Sequence, residues 1–248
     1  MKRKKRLVKA TPIATALMFI LPFVAHADIV LTNGTSSVVN GVTVVDINKA
    51  NANGISHNIY EKLNVGSEGL IFNNSIEGAN TTLAGMVNGN GNLTSGSASI
   101  ILSEVQSRNR SSLAGKLEVA GDKAHLIIAN PSGITCTGCS FVNTDKVTLT
   151  TGTPDMQDGV LKGYSVTGGD IRVDTSLKSD SPTAILSRSA VVNGSILVGD
   201  DLAVVLGSNY VDAENQVTGS LRATGSRGTY SLDVAKLGGM YAEQITLV

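Results

Sequence analysis

Between Asp28 and Val248 the apolar residues recur at a spacing of two rather than three or four, so no helix of useful length is predicted and the chain must be built from short strands. Val42–Val45, Gly69–Phe72, Ser99–Leu102, Lys116–Val119, Leu126–Ile128, Lys146–Leu149, Asp170–Val173, Ser195–Val198, Leu202–Leu206 and Gln244–Leu247 follow one another, parted by corners rich in Gly, Asn, Ser and Asp. Pro131, Pro154 and Pro182 all fall between these runs, where a missing N–H costs no ladder bond.

Many short strands can make a sandwich, a barrel or a solenoid. Aromatic residues are 4% of the chain and Trp is absent, which leaves a thick sandwich core short of large side chains, whereas small β-branched residues suit a narrow stacked interior. Asparagine recurs at corners (Asn73, Asn74, Asn88, Asn90, Asn92, Asn130, Asn143, Asn193), where side-chain amides can ladder from one coil to the next. These features favour an all-β parallel β-helix of imperfect period. Coils of about 20 residues allow at most about eleven rungs; cap and excursions lower that to about eight to ten, a rod about 40–50 Å long. Asp28 to Asn64 precedes the regular runs and reads as an N-terminal cap over otherwise open strand edges.

The densest stretch is Leu126–Asn143, LIIANPSGITCTGCSFVN. Leu126–Ala129 has the length and composition of a strand buried on both faces. In Asn130-Pro131-Ser132-Gly133-Ile134, Pro131 presets φ for the second position of a tight turn and Gly133 supplies freedom where the chain bends back. Cys136 and Cys139 then bracket Thr137-Gly138, and Phe141-Val142 starts a new strand.

This stretch, preceded by Leu113-Ala114-Gly115-Lys116-Leu117-Glu118-Val119-Ala120-Gly121, resembles the N-terminal secretion domain of two-partner secretion exoproteins, the filamentous-haemagglutinin and haemolysin family. Asn53–Asn58, Tyr60, Asn64-Val65, Asn73-Asn74-Ser75, Asn90-Gly91-Asn92-Leu93 and Leu237–Ala242 fall in the order that family shows, so the likeness covers nearly the whole exported chain. The family's turn motifs usually read Asn-Pro-Asn-Leu and Asn-Pro-Asn-Gly-Ile; here Gly91 and Ser132 replace a Pro and an Asn, both good turn formers. The Cys136 and Cys139 pair resembles the haemolysin branch. The resemblance implies a right-handed parallel β-helix with an N-terminal cap and short extra-helical β elements.

The N-terminus reads as an export signal. Lys2, Arg3, Lys4, Lys5, Arg6 and Lys9 precede an apolar run, Ile13–Val24, which as a helix spans about 18 Å, too short for a bilayer core of about 30 Å. Ala25-His26-Ala27 has a small-x-small cleavage pattern, so residues 1–27 are expected to be a Sec signal peptide and residues 28–248 the exported domain. Removing the six basic residues leaves 14 basic against 20 acidic, a net charge of −6 that argues against nucleic acid as a partner. Export to an oxidising compartment favours a Cys136–Cys139 disulfide that pins a corner. A redox pair would want a βαβ context, and a zinc site two more ligands. The loop closed is so short that reduction is expected to leave the secondary structure intact.

Catalytic chemistry has no foothold in these motifs. His57 and His125 form no His-x-x-x-His pair, and there is no Gly-x-Ser-x-Gly elbow. His125 reads as a surface or groove residue on a strand edge. Asp200-Asp201 would point to opposite faces of a strand, and no spacing forces Asp170, Arg172 and Asp174 into one groove. No enzyme activity, metal or cofactor is expected. The resemblance implies instead recognition by an outer-membrane partner transporter through its periplasmic domains. Asn90-Gly91-Asn92-Leu93 and Asn130-Pro131-Ser132-Gly133-Ile134 are the motif turns that present or shape that surface, and the product is secreted or held at the cell surface. The alternative is an adhesin or haemolysin fragment that binds host cells directly.

Overall fold

The computed structural model describes residues 27–225, 230–235 and 238–248; the predicted signal peptide lies outside them apart from Ala27. The described chain winds as a right-handed parallel β-helix with three faces. Its first face stacks Val42–Asp46, Leu70–Asn74, Lys116–Gly121, Cys139–Val142, Ser176–Ser179, Ser195–Val198 and Gly239–Tyr241. The second stacks Ile55–Asn64, Ile100–Val105, Ala124–Ala129, Thr144–Thr150, Thr183–Ser187, Leu202–Leu206 and Ile245–Leu247. Ser111–Leu113, Ile134–Cys136, Asp170–Val173, Ser189–Val192 and Leu232–Val234 form the shorter third face.

Parallel register turns sequence alternation into columns. Thr43, Leu70, Leu117 and Phe141 lie one above another on the first face, and Ile101, Leu126, Val147, Thr183 and Leu202 on the second. Leu113, Cys136, Val173 and Val192 make the matching column on the third. These side chains meet in one continuous core, and most of them are fully buried.

Each long face is closed at its N-terminal end by one antiparallel strand, Thr35–Val39 beside Val42–Asp46 and Asp28–Leu31 beside Ile55–Asn64. Within residues 28–64 these two strands do the capping, because Val42–Asp46 and Ile55–Asn64 already pair in parallel with the next coil. Among the described residues seven parallel rungs result, fewer than the eight to ten expected, and at about 4.8 Å each they span only about 30 Å. The missing residues are spent outside the coil.

Two excursions use them. A hairpin, Gly78–Thr81 with Gly85–Asn88, lies on the outside of the first face over Val42, Val44, Ile71 and Ala120. An antiparallel sheet of Thr153–Gln157, Val160–Val166, Asn209–Asp212 and Val217–Ser220 covers the second face, where Leu161, Tyr164 and Val211 pack on Leu102, Ile127, Ala184 and Val205. Leu126–Ala129 is therefore buried on both sides, which accounts for its unbroken apolar run.

Candidate recognition corners

Asn90 and Asn130 head the two motif turns, and both side chains are buried. Asn130 accepts from Ser132 N through Oδ1 and from Gly133 N through its carbonyl, both at 2.9 Å. Its Nδ2 donates to Asn109 O and Ser111 Oγ, again at 2.9 Å, in the coil below. Asn90 repeats the pattern: Oδ1 accepts from Asn92 N at 2.9 Å, the carbonyl from Leu93 N at 3.1 Å, and Nδ2 donates to Ile47 O and Asn73 O at 2.9 Å. One amide thus satisfies a turn and rivets it to neighbouring backbone, which is why asparagine suits both positions.

The rest of each motif divides between inside and outside. Leu93 and Ile134 enter the core, whereas Gly91, Asn92 and Pro131 are exposed and Ser132 is partly so. Asn92 adds a bond from Nδ2 to Ile47 O at 3.2 Å. Gly133 has φ 105°, and a Cβ there would collide with the Arg110 guanidinium. Arg110 itself was not singled out from the sequence. It donates to Thr135 Oγ1 at 2.7 Å and Ile134 O at 2.9 Å, and grips both Asp170 carboxylate oxygens at 2.7 and 3.1 Å. Its separation of 25 residues from Thr135, about one coil, was the available signal.

Corner asparagines elsewhere do not ladder onto one another. Asn74 Nδ2 donates to Ala98 O and Asp122 O, and Asn143 Nδ2 to Val119 O and Gly121 O. Their partners are backbone carbonyls or, for Asn73 and Asn193, the carboxylates of Asp46 and Asp174, not a second amide. Cys136 and Cys139 are bonded to each other, fully buried, with Cα atoms 5.4 Å apart where the third face passes to the first. Gly138, at φ 87°, makes that corner.

The histidines and the carboxylates weighed as catalytic candidates are held by neighbours. His57 Nε2 meets Glu104 Oε2 at 2.7 Å. His125 departs from the reading of a strand-edge residue: partly exposed, it lies in the middle of the second face, 2.8 Å from Thr148 Oγ1, with Tyr164 of the covering sheet beside that threonine. Burial, with Lys146 adding to it, pushes the His125 pKa down to about 3. Burial also lowers Lys146, partly opposed by Glu214, and raises Tyr164. Asp170 is taken by Arg110, Arg172 reaches Asp174 at 3.7 Å, and Asp174 also accepts from Asn193 Nδ2 at 2.9 Å. The Asp200 side chain accepts from Asp201 N at 2.7 Å, a corner role.

A family model described as the TPS secretion domain matches residues 26–248. The chain belongs to this family. Among solved structures, the crystal structure of the filamentous hemagglutinin secretion domain is 34% identical with a TM-score of 0.81, covering 88% of this chain and 77% of that one. The tRNA nuclease CdiA of Yersinia mollaretii is 41% identical over 99% of this chain but 8% of its own length. The 16S rRNA endonuclease CdiA of Enterobacter cloacae is 44% identical over 92% of this chain and 7% of its own. This TPS domain chain therefore spans less than a tenth of those curated relatives. Their names do not single out the haemolysin branch expected from Cys136 and Cys139.

Proposed function

We propose that the chain is an export-recognition module. Residues 1–27 direct it through the Sec machinery and are removed; residues 28–248 are then recognised by the periplasmic domains of an outer-membrane partner transporter, which starts translocation of an exoprotein to the surface or the medium. The family match over residues 26–248 carries this reading. The module needs no catalytic group of its own, and the nuclease names belong to proteins of which this chain matches a small part. CdiA-type toxin is better supported than haemolysin or adhesin as the class of exoprotein, since relatives named CdiA are 38–44% identical.

In the motif turns, Asn90 and Asn130 shape the fold, because their polar atoms are already spent on backbone and a serine hydroxyl. Gly91, Asn92 and Pro131 are the exposed positions that a transporter can touch. Export through the cognate transporter tests the reading, with β-structure followed by circular dichroism. Wild-type chain that folds in the periplasm yet is not exported with its transporter present would refute the module. Export lost in Asn92→Ala with β-structure intact marks contact, and loss of both marks a corner.

A further inference from the structure

The outermost strand of the first face, Thr35–Val39, turns into Val42–Asp46 through Asn40 and Gly41, at φ 48° and 82°. Two left-handed residues in a two-residue loop make a type I′ hairpin, in which the flanking pair Val39 and Val42 exchanges both backbone bonds. The register continues unbroken, so Ser37 with Val44 and Thr35 with Asp46 do the same. Ser36 and Val38 therefore turn their N–H and C=O groups away from the molecule. Among the described residues no further strand or turn engages them.

The companion edge is guarded. Asp28–Leu31 has a register shift between Val30 and Leu31, and Asp28 pairs with Lys62 at 2.8 Å; both features obstruct addition of a strand. Thr35–Val39 carries no charge, no proline and no bulge. Val38 is 64% exposed, and its register with Thr43 sets it at the head of the inward column that continues through Leu70 and Leu117. An open ladder and an uncovered column thus meet at one residue.

We propose that Thr35–Val39 is a docking edge to which an extended strand of the transporter's periplasmic part adds, bonding Ser36 and Val38 and setting an apolar side chain beside Val38. The inference rests on the transporter reading above. Strand addition draws affinity from main-chain bonds and selectivity from alternate side chains, so the incoming strand is amphipathic, its apolar side toward the core. A second copy of this chain is the poorer occupant, because a strand of five residues falls far short of the roughly 1,200 Å² a stable dimer buries. A contact this small suits a chain that is handed on.

Proline at an outward N–H position removes a docking donor and leaves the internal ladder whole. Val38→Pro and Ser36→Pro are expected to keep the circular dichroism spectrum and urea midpoint, while affinity for the soluble periplasmic domains of the cognate transporter falls about tenfold or more. In the wild type, amide exchange at Ser36 and Val38 should slow at least about tenfold on binding, with Ser37 unchanged; this decides the matter if a proline variant misfolds. Undiminished binding by folded variants, with exchange at Ser36 and Val38 unaltered, overturns the docking edge and leaves the transporter reading standing. Wild-type chain that does not bind overturns the transporter reading. Slowed exchange at these residues in self-associating chain alone assigns the edge to a second copy and overturns the proposal.

Discussion

Glu118 holds Thr82 twice, accepting from its backbone N–H at 2.7 Å and its hydroxyl at 2.8 Å, and takes the next amide, Leu83 N, at 2.9 Å. A buried carboxylate on the first face therefore pins the loop of the Gly78–Asn88 hairpin. Glu118→Ala should cost roughly 1.5–3 kcal/mol, the range for hydrogen bonds to a charged group. The damage should be local: limited proteolysis should cut within residues 76–97 while the remaining coil stays resistant.

The two Asn-headed corners predict an asymmetry within one motif class. Asn130→Ala strands Ser111 Oγ, Asn109 O and Ser132 N near the core and should lower stability by about 2–4 kcal/mol. Asn92→Ala removes one exposed-side bond at 3.2 Å and should cost under about 1 kcal/mol. Urea midpoints of the two variants, measured together, check the ordering.

Gly91→Pro should be neutral or stabilising by up to about 1 kcal/mol. Gly91 stands where Pro131 stands in the other motif, its φ is not left-handed, and a Cβ there meets nothing within 4 Å. A lowered thermal midpoint would count against the equivalence of the corners.

His125 makes stability depend on acid. Its folded pKa near 3 is far below the ordinary 6.5, so between those values the unfolded chain binds a proton that the folded chain refuses. Stability is full above about pH 6.5 and falls as the pH drops toward 3. From pH 7.5 to 4.5 the loss through this ring should be about 2–3 kcal/mol, and His125→Gln should flatten that part of the profile. Urea titrations at the two pH values measure it.

Cys136→Ala with Cys139→Ala should leave the circular dichroism spectrum unchanged and cost no more than about 2 kcal/mol, since the bridge spans only three residue steps. Differential scanning calorimetry of the double variant provides the test.

Leu126–Ala129 and the turn that follows were legible in the sequence because local chemistry dictates them: an apolar run for a strand covered on both sides, Pro131 and Gly133 for the bend. What covers that strand was not legible. Val160–Val166 alternates like any rung, and its antiparallel pairings, with Thr153–Gln157 through the Asp158-Gly159 turn and with Asn209–Asp212 more than forty residues on, send it outside the coil. The rung count failed for the same reason. The strand-edge placement of His125 failed because its neighbours are Thr148, one coil up, and Tyr164 of the covering sheet, neither of them local in sequence. Arg110 was overlooked since its role depends on Asp170, 60 residues away, which no local pattern announces.

The pairing of Val160–Val166 with Asn209–Asp212 ties together two coils that are not neighbours: one strand departs after Thr144–Thr150, the other after Leu202–Leu206, with Thr183–Ser187 between them. A stack coupled only to its nearest neighbours melts from an end, one layer after another. Here the link across the intervening layer merges three layers into a single cooperative unit, so native-state hydrogen exchange should find the strands from Thr144 to Leu206 opening together. The energetic boundary of the molecule then falls at this staple, and the coil beyond Leu206 is free to loosen on its own.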